Sequence, residues 1–312
     1  MPPHRRIDLV LDSVKRLKRI GASTNLLNLL QKQHPADLAE VFGELPEAEA
    51  RGVFNLLLEH NSRLAMEALV EYGPEQGVVL IADCAPERIA DWLQELPSDD
   101  AVALIDELPD ELSVPVLELL RRQESAEVEN LLEYAEETAG HIMNPTVFAL
   151  REDLTAGEAI KAVQGSQEVE MVFYLYVVDE RRHLVGVLSL RRLLLVAPET
   201  PLRRIMTTDL ISSRLDTDRE EAARQVASYN LLAIPVVDEE NKLAGIITVD
   251  DVIDIIKDEA TEDIYRLAGV SSDEHVFTPV LESIRKRLPW LAINLVTATL
   301  AAFVVRSFQA TI

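Results

Sequence analysis

Between residues 139 and 258 the chain carries one pattern twice, and this duplication constrains its fold more than any other feature. Ile142-Met143 returns as Ile205-Met206. Leu175–Leu194 (LYVVDERRHLVGVLSLRRLL) returns as Ala233–Ile253 (AIPVVDEENKLAGIITVDDVI). Each copy reads as helix, strand, turn, strand, helix, because β-branched runs flank an acidic turn as a hairpin requires. Ser189-Leu190-Arg191 and Thr248-Val249-Asp250 are placed to cap the helices that follow.

A shorter repeat occupies residues 25–138. It appears as HPADLAEVFGELP (His34–Pro46), APERIADWLQELP (Ala85–Pro97) and PSDDAVALIDELP (Pro97–Pro109). Leu and Ala recur at helical spacing, with proline and acidic residues opening each unit and Leu-Pro closing it. A helix this short cannot bury its apolar stripe alone, so the units are expected to stack into a superhelix.

Charge divides the 312 residues further: 30 basic and 54 acidic side chains leave −24. Residues 1–138 hold 12 basic and 28 acidic side chains, residues 139–258 hold 13 and 20, and residues 259–312 hold 5 and 6. Such a balance argues against nucleic-acid binding, which needs basic surface to neutralise phosphates. It leaves a solubilising acidic surface or one that recruits cations. The single cysteine, Cys84, excludes an intramolecular disulfide framework and points to a reducing compartment. The N-terminus is no secretory signal, since Asp8, Asp12, Lys15, Arg16, Lys18 and Arg19 interrupt Ile7–Ile20. Its helical pattern fits a solvated basic face or one that touches an anionic membrane.

Leu288–Val305 is eighteen residues without a charge, long enough with tilt and its flanks to cross a hydrocarbon core of ~30 Å. Arg285, Lys286 and Arg287 precede it, which places the N-terminal bulk in the cytoplasm.

No nucleophile constellation, H-E-x-x-H, G-x-S-x-G or phosphate-cradling loop is present, so the chain does not read as an enzyme. Carboxylates are the stronger signal. Asp250 and Asp254 share a helix face, as do Glu259 with Glu262 and Glu259 with Asp263. Like charges at this spacing repel, and a divalent cation held between two faces would relieve them. Magnesium prefers hard oxygen ligands and keeps several waters, so one or two carboxylates per ion suffice. A solvated acidic face is the competing reading of the same spacing.

The longer repeats resemble a tandem CBS-domain pair. The order of acidic helical superhelix, CBS pair, Glu259–Asp263 (EATED) and apolar segment resembles the MgtE family of magnesium channels and transporters. The resemblance covers roughly residues 25–312. Ala139–Met143 (AGHIM) departs from the Ala-Gly-Gly-x-Met usual in relatives at His141, a departure read here as local turn geometry.

The fold class expected is therefore multi-domain: an all-α N-terminal superhelix, an α/β tandem CBS pair, a long connecting helix and one transmembrane helix. Its boundaries are a basic helix at 1–24, the superhelical N-domain at 25–138, and the CBS pair at 139–258, split into 139–200 and 201–258. A connecting (plug) helix follows at 259–287 and the first transmembrane helix at 288–308. One helix makes a poor pore, and relatives have five, so the chain reads as a regulatory region plus a first span.

The resemblance also implies function. Magnesium ions would glue the N-domain and the connecting helix to the CBS pair, closing the pore of a homodimer joined through its CBS domains in the plasma (inner) membrane. Asp251 resembles the CBS partner of an N-domain acid. Asp91 is the favoured acid, with Glu87 one turn before it and Asp99 as a rival. Asp254 resembles a ligand near the second copy, Glu220 another acidic site, and Glu259, Glu262 and Asp263 the acidic start of the connecting helix. Asn230 departs from the Asp of several relatives. CBS pairs often bind adenine nucleotides through Thr/Ser-x-x-Asp, so ATP is the second ligand implied. Thr248 and Asp251 match that motif. The first copy has Arg192 in place of the Asp, leaving Arg191 to face phosphate and Tyr174 to flank an adenine ring. The rival reading is a membrane-anchored, adenine-nucleotide-sensing CBS adaptor.

Overall fold

The computed structural model describes residues 3–122, 126–166, 173–267 and 280–308. Ten helices come first: α1 (Pro3–Arg19), α2 (Ser23–Leu30), α3 (Pro35–Gly43), α4 (Glu47–Leu58), α5 (Ser62–Tyr72), α6 (Pro74–Ile81), α7 (Pro86–Leu93), α8 (Ser98–Asp106), α9 (Asp110–Arg122) and α10 (Ala126–Leu132). Pro35, Pro74 and Pro86 start their helices, where a missing N–H costs nothing. Pro46 and Pro97 occupy the capping position instead. Each helix packs on the second one along, from α1 on α3 through α8 on α10. Phe42, Phe54, Leu57, Leu69, Ile81, Ile89 and Leu104 are fully buried between them. Phe54 and Tyr72 each meet Phe42 edge to face, at 6.0 and 6.1 Å.

The repeated region holds two small sheets. The first copy contains α11 (Ala139–Ile142), β1 (Ala149–Arg151), α12 (Ala156–Gly165), β2 (Tyr174–Val178), β3 (Leu184–Ser189) and α13 (Leu190–Leu194). The second contains a 3-10 turn (Leu202–Arg204), β4 (Ser213–Arg214), α14 (Arg219–Tyr229), β5 (Ala233–Val237) and β6 (Leu243–Thr248), and α15 (Val249–Leu267) follows. In each sheet a parallel edge strand joins an antiparallel hairpin, β1-β2-β3 and β4-β5-β6. The sequence pattern shows the hairpins but not β1 and β4, which are too short for an alternation to register.

The acidic turns work as expected. The Asp179 carboxylate accepts from the backbone N–H of Arg181 and His183, and that of Asp238 from Glu240 and Lys242. Arg182 and Asn241 then take left-handed backbone, with φ of 68° and 63°. The two turns also bind each other: Leu184 N–H donates to Asn241 O at 2.9 Å and Leu243 N–H to Arg182 O at 3.1 Å. Tyr176, Val178, Leu184, Val237 and Leu243 bury one core shared by both copies.

The Ile-Met repeat has a tertiary meaning. Asn144, just after Met143, exchanges backbone hydrogen bonds with Ile246 of the second copy, at 2.7 and 2.9 Å. Thr207, just after Met206, does the same with Val187 of the first, at 2.9 and 3.0 Å. Each copy thus lends a segment to the hairpin of the other.

Thr155 opens α12 with a full capping box: Glu158 N–H donates to its hydroxyl, and Thr155 N–H donates to the Glu158 carboxylate. Thr155→Ala is expected to cost about 1 kcal/mol, read as a lower urea midpoint at unchanged m-value.

The acidic stretch from Glu259 continues the helix that opens at Val249. It is the second half of α15, because no Gly or Pro interrupts Val249–Leu267. Helix α16 (Val280–Phe308) covers the apolar segment, yet among the described residues no helix is long and apolar enough to cross a membrane. Residues 1–253 form one compact unit and 254–312 a second.

Candidate carboxylate and nucleotide site

Helix α8 reads PSDDAVALID from Pro97. Ala101, Val102, Leu104 and Ile105 turn into the superhelix. Asp99 and Asp106 lie seven residues apart, two turns along one face. Asp99 is half-buried, and its Oδ1 accepts from Asn144 Nδ2 at 3.3 Å. Asn144 belongs to the segment that crosses onto β6, so the exchange between copies brings an amide to the N-domain acid.

Facing it is the start of α15. Asp251 Oδ2 accepts from Thr248 N–H at 3.1 Å and from Thr248 Oγ1 at 2.6 Å, while Thr248 Oγ1 also bonds Asp250 Oδ1. Thr248-x-x-Asp251 is thus a helix-opening clamp that fixes where the Asp251 carboxylate points.

The electrostatics record the crowding. The Asp99 carboxyl is pushed from 3.8 up to about 7. Burial is the largest cause, the charge of Asp251 the next, and Asp250 adds to it, against backbone hydrogen bonds that pull it down. Beyond the effect of burial, the charges of Asp251 and Asp250 add a negative field at Asp99 that a small hard cation would offset. Among the described residues no group of three or more His, Cys, Asp or Glu is placed to hold a metal ion, so an ion here would be held by one or two carboxylates and its own waters.

The other predicted residues lie elsewhere. Asp91 and Glu87 are exposed on α7, and it is the rival Asp99 that feels the Asp251 charge. Glu220 is half-buried in the first turn of α14, 3.8 Å from Arg224. Asp254 is exposed, 2.6 Å from Lys257. Glu259 is half-buried on α15, and the side chains of Glu262 and Asp263 lie outside the described residues. Asn230 caps α14 in left-handed backbone at φ 52°, a conformation that Asn and Asp both tolerate. Tyr174 is half-buried at the start of β2, opposite Ser189, and Arg191 is exposed on α13. Thr248 holds the place of Ser189 in the second copy, opposite Ala233.

Sequence reasoning missed Asn144 and the pair His141–Asp106, whose Nε2 and Oδ2 lie 2.7 Å apart. Only a polar residue within the apolar setting of AGHIM hinted at the latter.

An acidic helical repeat docked on two interlocked hairpin modules defines the class: a helical domain joined to a CBS pair. The model of the MgtE intracellular N domain matches residues 33–137, and the CBS domain model matches 139–199 and 202–258. A crystal structure of the cytosolic domain of the Mg2+ channel MgtE in complex with ATP is 35% identical, with a TM-score of 0.71. The match covers 78% of this chain and 99% of that one. The soluble part of a magnesium transporter aligns at 28% identity and a TM-score of 0.69, over 81% of this chain and 99% of that one. Magnesium transporter MgtE of Thermus thermophilus is 41% identical over 188 residues, 59% of this chain and 42% of the relative. The chain belongs to the MgtE family of magnesium transporters, and it spans about two fifths of the length of the curated relatives it matches.

Proposed function

We propose that this chain is the Mg2+-sensing gating region of an MgtE-type magnesium channel. The observation that carries this reading is the meeting of Asp99 with Asp251 and Asp250 across the junction of the N-domain and the CBS pair. With little magnesium, these carboxylates repel and the junction loosens. With more, ions bridge them, the domains close, and the gate follows by a population shift toward the closed state. Glu220, Asp254, Glu259, Glu262 and Asp263 are further acidic positions for weak sites. No catalytic step is part of this reading.

Membrane anchoring through α16 belongs to the same proposal. Leu291, Ile293, Leu295, Val296, Leu300 and Phe303 are each more than half exposed. At 100° per residue they cover an arc of about 200°, broader than the apolar stripe of an ordinary surface helix. Homodimerisation through the CBS pair is supported by exposed Phe173, Leu194, Leu195, Tyr229 and Ile253. ATP is the second ligand, with Thr248 and Asp251 at the ribose and Tyr174 and Arg191 at the base and phosphates. The ATP complex of a relative and the Thr248–Asp251 clamp support it.

Limited proteolysis against magnesium concentration tests the sensor. Protection of the N-domain–CBS junction is expected at millimolar Mg2+ and is expected to weaken in Asp251→Asn, which keeps an oxygen for Thr248 N–H. Cutting that ignores magnesium would end this reading. Calorimetry with nucleotide separates the rival: tight nucleotide binding without magnesium-dependent compaction would make the chain a nucleotide-sensing adaptor.

A further inference from the structure

Helix α8 touches the CBS pair at both ends of one face. Asp99, in its first turn, meets the carboxylates of α15. Asp106, in its last turn, meets a histidine instead. His141 is only 5% exposed. Its Nε2 lies 2.7 Å from Asp106 Oδ2, and its Nδ1 lies 3.3 Å from the Tyr134 carbonyl oxygen. Both partners only accept. A neutral imidazole donates from one nitrogen and would turn a lone pair toward the other acceptor, so only the imidazolium satisfies both.

We propose that His141 is a proton-carrying latch that positions α8 on the CBS pair. It thereby sets Asp99 opposite Asp251 and gives the junction a control by pH that needs no magnesium. Where the Asp99 end must wait for a cation from solution, the Asp106 end has one built into the chain. The link to magnesium rests on the function proposed above, whereas the latch stands on its own geometry.

The charges around the ring agree. α8 presents Asp106, and the turn before α11 presents Glu136. From α14 comes Arg219, ion-paired with Glu137 at 3.1 Å, and from β4 Arg214, 3.6 Å from Asp216. β6 brings no charged side chain, and those of Glu127 and Glu129 on α10 lie outside the described residues. Burial pulls the His141 pKa down, but the hydrogen bond and charge of Asp106, the Tyr134 carbonyl and Glu136 carry it above its ordinary value. A histidine raised by folding contributes fully below its unfolded pKa of about 6.5 and loses that contribution as pH rises through the folded value.

The test is amide hydrogen exchange of α8 in the full chain, in chelator, at pH 6 and pH 8.5, corrected for intrinsic rates. It is run in Asp99→Asn, so that the other titrating group of the junction is absent. Exchange is expected to be roughly ten- to hundredfold slower at pH 6, the range of a hydrogen bond to a charged group. Adding His141→Gln, or separately Asp106→Asn, should erase the difference. If it survives in both, the latch is overturned. Magnesium added to the wild type at pH 8.5 is read separately. No slowing there, with the pH difference intact in Asp99→Asn, would sink the magnesium reading and leave the latch standing. The reverse pair of results would sink the latch alone.

Discussion

Asp99→Asn is expected to stabilise the chelated protein and to remove most of its response to magnesium. The sign follows from linkage. Folding lifts the Asp99 carboxyl from 3.8 to about 7, so it disfavours the ionised form. The folded state therefore bears a penalty at pH 8 that disappears as pH falls through about 7 toward 4. A rise of about three pH units corresponds to roughly 4 kcal/mol at most, and about 2–4 kcal/mol for a half-buried group. Asparagine keeps an oxygen for Asn144 and carries no charge. Urea unfolding in chelator at pH 8 should show the gain, and the wild type should grow more stable between pH 8 and pH 5 with a steeper slope than the variant. The slope left in Asp99→Asn reports on His141. Magnesium should stabilise the wild type and barely move the variant. A variant no more stable than wild type in chelator would show that the crowding at this junction is not a liability.

Gly245→Val should be the most damaging single change in the repeated region, at about 3 kcal/mol. A Cβ at Gly245 would stand 2.7 Å from the Asn144 backbone oxygen and 2.8 Å from Met143 Sδ. The Asn144 backbone cannot retreat without breaking its two bonds to Ile246. Its side chain would then lose Asp99, so the lesion reaches the carboxylate junction. Gly186 supplies the contrast. The three atoms nearest its added Cβ all belong to the Met206 side chain, at 2.6 to 3.0 Å. A methionine can change rotamer, so Gly186→Val should cost about 1 kcal/mol. Denaturant midpoints of the two variants decide the matter, and equal losses would refute the role given to the Asn144 backbone.

Much of this organisation was legible beforehand, for identifiable reasons. Pro86, Pro97 and Pro109 marked helix boundaries because proline lacks a donor and restricts its neighbour. The hairpins were legible because Asp179 and Asp238 close the turns through local bonds. The choice between Asp91 and Asp99 was not. Both lie on repeated, acidic helices, and only the placement of Asp99 within reach of the Asp251 charge distinguishes them. That the helix opening at Val249 runs on past Glu259 was not legible either, because the acidic stretch there carries no Gly or Pro to mark a stop or a continuation. His141 looked like a local substitution because its partner Asp106 is 35 residues away.

By itself the sequence determined the helices of the N-domain, the two hairpin-bearing copies and the stock of carboxylates, since periodicity, turn chemistry and proline act within a few residues. Tertiary structure alone decided which acids confront each other and which one meets a histidine. Those outcomes depend on the register of α8 against the CBS pair, and electrostatic coupling follows distance in space rather than along the chain.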